Sequence, residues 1–317
     1  MEQKLVLILL IKRILWACFL SLFGSFLCFV LIFYSKGSVA HAMSLAPVNT
    51  ELVSQIESNL NLDKPLFIQY KSWLTHFLQA DFGISFVSGE KVSVILMQTL
   101  PLTLILGLGA FFVLSVLSIV LAMLCVYYKD SFFDKFLHFI SMSFLALPSF
   151  ALSLLAILLF SVELKILPSS GALTFEGNFS FKNLILPLSV LVLTHLAIYL
   201  RFSREAFLES LNQNYIQNAF ARGLSKKRIY WHLVLKDAMP SIVSYFGSCI
   251  VSFLGTTYVV ESVFSYGGLG QLALKSILFK DYPVVLAVIV ISICLAVFIT
   301  LCCELIIKSI YTRLDNA

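Results

Sequence analysis

"LPLTLILGLGAFFVLSVLSIVLAMLCVYY", residues 100–128, runs for 29 positions without one charged side chain. A helix needs about 20 largely apolar residues to cross a bilayer, and this run exceeds that length. It is far too long for a strand and has no strict alternation, so it reads as a membrane helix. Working outward, five more runs qualify: 14–34, 136–160, 184–200, 241–260 and 284–307. The chain is therefore expected to be an all-α integral membrane protein with six transmembrane helices. Composition agrees. Hydrophobic residues make up 60% of the 317 and charged ones only 12%, whereas soluble domains sit near half and a quarter.

Charge orients these helices, because Lys and Arg collect in cytoplasmic segments. With the N-terminus inside, the cytoplasmic segments carry Lys4, Lys12, Arg13, Lys129, Lys135, Lys308 and Arg313. The loop 201–239 adds Arg201, Arg204, Arg222, Lys226, Lys227, Arg228 and Lys236. Eight basic residues fall on the other side, where acids offset them. Both termini are expected in the cytoplasm. A net charge of only +5, confined to one membrane face, gives no support to nucleic-acid binding. The first run resembles a signal peptide in having Lys12 and Arg13 ahead of it, with Ala40-His41-Ala42 as a cleavage-like triplet. Its apolar core is longer than a signal core and the triplet lies well beyond it, so it is expected to stay as a membrane helix.

Several chemistries find little footing. The seven cysteines (Cys18, Cys28, Cys125, Cys249, Cys294, Cys302, Cys303) lie in apolar runs without CxxC spacing and read as small hydrophobes. His41, His76 and His138 are scattered, without the spacing of metal ligands. There is no HExxH, no nucleophile motif and no intramembrane Asp pair, which leaves a membrane hydrolase unsupported. Pro148 and Pro187 lie within expected spans, where proline removes a backbone bond; each reads as a gate hinge or a static kink. His195 is the ionisable group deep in the fourth run. It is a functional candidate by position, or a neutral ring bonded to a neighbouring helix. Glu304 lies near the cytoplasmic end of the last run.

The polar connections differ in character. In the outer one, 35–99, Asn49 or Thr50 can cap a helix with Leu52, Ile56 and Leu60 on one face. After Asp63, Pro65 suits the start of a second helix, in which Phe67, Tyr70, Trp73, Leu74 and Phe77 recur at helical spacing. Such a helix suits the headgroup level, as interfacial packing or as a platform beneath an external partner. In the inner one, basic residues and Tyr230–Trp231 fit attraction to anionic lipid heads. Ala219, Ala221 and Gly223 do not follow from that. Small residues allow close backbone approach and glycine allows turns that others resist, so a helix–turn–helix here could enter a groove on a cytoplasmic protein.

The run "NYIQNAFARGLSKKRIYWHLVLKDAMPSI", residues 214–242, resembles the cytoplasmic coupling motif of ATP-binding-cassette importer permeases of the oligopeptide, dipeptide and nickel family. Tyr215, Ala219, Ala221, Arg222, Gly223, Leu224, Ser225, His232, Ala238 and Pro240 occupy matching positions. Asn214, Asn218 and Asp237 replace the family's Asp, Thr and Asn. Three further stretches are similar to that family: "LNLDKPLFIQYKSWLTHFLQADFGIS" (60–85), "LALPSFALSLLAILLFSVELKILPSSG" (145–171) and "ESVFSYGGLGQLALKSILFKDYPVV" (261–285). The Pro-Gly-Asp-Pro usual after the first span is replaced by "GSVAHAMSL" (37–45), and Thr300 and Glu304 stand for an Asn and an Asp.

The resemblance implies a type I importer permease fold in the bacterial inner (cytoplasmic) membrane. It implies a first part at 1–34, a periplasmic loop domain at 35–98, and a five-helix core at 99–317 carrying the coupling loop 201–239. It further implies a second permease chain, two cytoplasmic ATPase subunits and an external substrate-binding protein, with membrane lipid around the helices. The chain has no Gly-x4-Gly-Lys-Ser/Thr phosphate loop, so no cofactor is expected in it, and ATP and Mg belong to the partner ATPases. Tyr215, Ala219, Ala221, Arg222, Gly223, Leu224, Ser225, His232 and Pro240 are then the expected ATPase-coupling residues. Pro148, Pro187 and His195 are the gate or hinge candidates. The implied cargo is di- or oligopeptides, alternatively nickel or a nickel chelate. An ATP-independent channel or secondary carrier is the competing class, and copurification with an ATP-hydrolysing partner separates the two.

Overall fold

Backbone polar groups inside a bilayer meet no water, so apolar runs satisfy them internally as helices. The structure, a computed structural model describing residues 2–34, 65–173 and 177–315, is built of helices. Among the described residues the extended pairings are the isolated bridges Ile84–Lys91 and Leu173–Phe179. In chain order the helices are α1 (Glu2–Tyr34), α2 (Leu66–Leu78), α3 (Val92–Tyr127), α4 (Phe132–Leu145) and α5 (Ser149–Ala156, prolonged by the π-helical turn Ile157–Glu163). Then come α6 (Phe181–Leu211), α7 (Asn214–Ala221) and α8 (Lys226–Arg228, prolonged by the π-helical turn Ile229–Val234). The chain ends with α9 (Leu235–Ser248), α10 (Ile250–Val263), α11 (Leu269–Leu278) and α12 (Tyr282–Asp315).

Three of these, α3, α6 and α12, are long and apolar enough to cross a bilayer unbroken, and two bent pairs bring the number to five. The first expected span lies in α1, whose 33 residues extend about 50 Å. The expected helix around Leu52, Ile56 and Leu60, with its cap at Asn49 or Thr50, lies outside the described residues.

Two expected spans are not single straight helices. The run 136–160 is split into α4 and α5, which meet at 101°. Proline lacks the N–H the helix needs and disfavours helical backbone in the residue before it. Pro148 accordingly stands at the N-cap of α5 with φ −58° and ψ 142°, ahead of the helix rather than inside it. The run 241–260 bends by 50° between α9 and α10, with no proline at the break. Gly247–Ser248 lies there, the kind of pair at which helices kink, and Ser248 Oγ donates back to Tyr245 O at 2.7 Å. The fourth run is the reverse case. Helix α6 continues 11 residues past Leu200 to Leu211, so the first part of the inner connection is helical, and it passes through Pro187 without a break.

The chain separates into two compact units, 1–102 with 267–297, and 103–266 with 298–317. In the first, α2 begins directly after Pro65, as its sequence suggests. Its Tyr70 hydroxyl donates to Leu22 O of α1 at 3.1 Å and lies 3.0 Å from Ser25 Oγ. The Phe26 and Phe29 rings stand edge-on to Tyr70. Phe67 is not part of that contact; it is exposed. The connection after α2 is tied to the start of α12. Asp281, buried, accepts from Ser85 Oγ and from Phe86 N, the latter at 3.0 Å.

In the second unit α6 is the axis. Within its apolar window 56% is buried, against 28% for α3, and α4, α5, α9 and α10 all pack on it. Leu191, Tyr199, Leu200 and Phe207 fill its contact face. Toward its far end Arg204 grips Asp134 of α4 in a two-pronged bridge, Nε to Oδ1 at 3.3 Å and Nη2 to Oδ2 at 3.0 Å. The last part of α12 also belongs here. A Cβ on Gly247 would sit 2.9 Å from Cys303 Cβ, so only a hydrogen fits there.

Candidate functional site

Residues 214–240 form a helix, a tight turn and a second helical segment, and the turn is determined by backbone hydrogen bonds. Leu224 N donates to Ala219 O at 3.3 Å and Gly223 N to Phe220 O at 3.0 Å. This pair is the Schellman termination of a helix, which places the residue after the cap in the left-handed region. That residue is Gly223, with φ +78°. Nothing lies within 4 Å of where its Cβ would be, so backbone conformation and not space selects glycine. Two residues on, Ser225 Oγ accepts from Arg228 N at 3.4 Å and starts α8. One helix is closed and the next opened within three residues.

The segment has an inner and an outer side. Ile216, Ala219, Ile229, Tyr230 and Val234 are buried against the unit. Ala221, Arg222, Gly223, Ser225, Lys227 and Arg228 are exposed. The tip is therefore a small-residue corner rimmed by positive charge. Three contacts hold its base: Gln217 Nε2 to Leu211 O at 2.8 Å, Ser210 Oγ to Val234 O at 3.4 Å, and Lys226 Nζ to Tyr127 O at 3.1 Å. Lys226 also lies over the Tyr127 ring at 4.6 Å and the Tyr230 ring at 5.4 Å. Tyr215 is half-exposed, and partial burial followed by the neighbouring Asp237 carboxylate pushes its phenol pKa up.

The nine residues expected from sequence thus divide. Ala221, Arg222, Gly223 and Ser225 come together at the exposed tip, with Leu224 half-buried beneath. Ala219 is small because it faces the unit, and Pro240 is buried in α9. His232 is exposed on the π-helical turn, away from the residues of the turn in sequence. Sequence reasoning missed Tyr127, which lies 99 residues from Lys226 with no local signal to join them. Asp237, noticed only as a departure from a motif, is the neighbour of Tyr215.

Of the hinge candidates, His195 is buried. Its Nδ1 lies 3.2 Å from Leu191 O, its Nε2 3.5 Å from Thr256 Oγ1 of α10, and its ring 5.0 Å from the Phe253 ring. Among the described residues no three His, Cys, Asp or Glu side chains are placed to hold a metal.

The description "Binding-protein-dependent transport system inner membrane component" matches residues 115–316, and its N-terminal counterpart matches 6–107. The chain belongs to this family. It is the inner-membrane permease component of a binding-protein-dependent importer, integral to the membrane and partnered by ATPase and substrate-binding proteins. The permease is 33% identical over 301 residues to the metal-staphylopine import system permease protein CntB of Staphylococcus aureus (strain NCTC 8325 / PS 47), covering 92% of this chain and 93% of that one. It is 32% identical over 311 residues to the oligopeptide transport system permease protein AppB of Bacillus subtilis (strain 168), covering 96% and 98%. A putative peptide transport system permease protein of Brucella abortus (strain 2308) is 32% identical over 279 residues, covering 87% and 89%. Among solved structures, the MetNI methionine ABC transporter in inward-facing conformations matches with TM-score 0.57 and 18% identity, covering 69% of this permease and 97% of that chain. An amino acid ABC transporter matches with TM-score 0.52 and 14% identity over 68% and 94%. These two structural likenesses establish the fold of the permease.

Proposed function

We propose that this permease forms half of the pathway of an ATP-driven importer of short peptides, and that the turn at Ala221–Ser225 is where an ATPase subunit moves it. The observation that carries the reading is the exposed tip. It is shaped by its own backbone bonds, poor in side chains, and joined through α7 and α9 to the buried axis α6. A groove on a partner can seat such a corner, and a rigid corner transmits displacement where a loose loop would absorb it. Tyr215, Ala219, Leu224, His232 and Pro240 then shape or brace the coupling segment, and Ala221, Arg222, Gly223 and Ser225 meet the partner. A second permease chain completes the pathway, and two ATPase subunits beneath carry ATP and Mg. A binding protein delivers cargo outside. Both termini are cytoplasmic. The chain itself needs no cofactor and hydrolyses nothing. Closure of the ATPases on ATP draws the helices outward-open, which is coupling between two sites through a bistable element. Pro148, at the 101° break, is the better placed of the two proline hinges, since α6 runs on through Pro187.

The likeness to the oligopeptide and peptide permeases supports peptide cargo. The likeness to a metal-staphylopine permease supports a second reading, import of nickel or another metal as a chelate. Uptake of labelled dipeptide and of nickel, compared in a strain lacking this gene, separates the two. For the coupling role, Gly223→Arg is expected to abolish uptake while the protein still inserts and accumulates in the membrane. Normal uptake by such a variant would falsify the assignment.

A further inference from the structure

A cavity of about 420 Å³ in the second unit lies at the base of the coupling turn, lined by none of its exposed tip residues, and shares Lys226 and Tyr230 with the segment. Its polar lining is Tyr127, Tyr128 and Lys129 from the end of α3, Asn212 after α6, and Lys226 and Tyr230 around α8. Two ammonium groups, an amide and three phenols converge, and no acidic side chain is among its described lining residues. The volume falls in the range of small-ligand sites, roughly 300–1,000 Å³.

Location narrows the ligand. Lys129 is the first charged residue after the 29-residue apolar run, so the cavity opens where hydrocarbon gives way to headgroups. Tyr and Trp favour that level, and basic pockets beside helix ends suit phosphate-bearing headgroups. Lys226 has one proton engaged, donated to Tyr127 O at 3.1 Å. An ammonium carries three, so two remain for an anion. The two tyrosine rings keep that ammonium in place over the cavity wall.

We propose that this cavity binds the phosphate of an anionic lipid headgroup. A headgroup held by Lys226 and Lys129 would join the start of α8 to the end of α3. Since α8 begins directly after Ser225, the lipid would brace the coupling turn against the unit. That consequence for transport rests on the coupling role proposed above; the binding does not.

The test is native mass spectrometry of the purified full chain in detergent, titrated with phosphatidylglycerol, phosphatidylethanolamine and glycerol 3-phosphate. Phosphatidylglycerol is expected to bind at least tenfold more tightly than the other two. Replacing Lys129 or Lys226 by Gln is expected to weaken it about fivefold each. Because Lys226→Gln also removes the contact with Tyr127, Lys129→Gln is the deciding variant. Equal binding of both lipids, or an unaltered Lys129→Gln protein, overturns the site. Glycerol 3-phosphate binding as tightly as phosphatidylglycerol assigns the cavity to a soluble phosphate ester and overturns the lipid. None of these readouts depends on transport, so a failure of the coupling role leaves them standing.

Discussion

Two polar connections of this permease, the turn at 221–225 and the segment 83–91, differ in one anchor. The first is shaped from within. Its carbonyls and amides close on each other, its glycine supplies the left-handed backbone, and nothing lies within 4 Å of where a Cβ on Gly223 would sit. The second also closes on itself, Ser85 N donating to Glu90 O and Val92 N to Gly83 O, but it is held from outside as well, by a buried carboxylate 195 residues beyond Phe86 that takes Ser85 Oγ and Phe86 N together. A segment anchored by a distant buried charge is fixed to its unit. A segment anchored by itself keeps its shape and leaves its surface open for a partner.

The difference has consequences that can be measured, the largest first. Gly223→Arg places a long cation on the open tip and should cut uptake more than tenfold at unchanged membrane level. Gly223→Ala meets no neighbour and faces only the left-handed backbone, about 1–2 kcal/mol, so it should keep most uptake. If both variants fail alike, the turn is limited by folding and not by its surface. Asp281→Ala should act the other way. It leaves one buried and one part-buried donor unpartnered, at about 1–3 kcal/mol, lowers the melting temperature in detergent, and opens 83–91 to proteolysis. A variant with unchanged melting and proteolysis would remove the contrast between the two connections.

Space against backbone can be compared in the same way. Gly247→Ala would bring a Cβ within 2.9 Å of Cys303 Cβ and should destabilise by about 1–2 kcal/mol. Gly255→Ala meets nothing within 4 Å inside α10 and should be neutral or stabilising by up to about 1 kcal/mol. Thermal unfolding of the pair checks both signs. The smallest effect belongs to Ser225→Ala, which loses the cap on Arg228 N and should cost about 1 kcal/mol, seen as a slightly lower melting temperature and a modest fall in uptake.

Much of this was open to inspection residue by residue. Apolar length marked the long helices, Pro65 marked the start of α2, and the small residues with Gly223 marked the turn, because each depends on neighbours within a few positions. The corner at Ala146–Pro148 was half legible. Pro148 signalled a disturbance, but a kink and a 101° break look the same in one dimension. The bend at Cys249 and the extension of α6 to Leu211 carried weaker local signals still.

The amino-acid order by itself determined that the chain is a helical membrane protein, which connection is basic, and where its tight turn falls, since burial in lipid and backbone preference act over a single helix. Tertiary structure alone decided which polar groups meet. The Asp134–Arg204 bridge spans 70 residues, Ser85–Asp281 spans 196, and Lys226 reaches Tyr127 across 99. Such contacts depend on how helices cross in space, and a one-dimensional pattern contains no distance between residues that far apart.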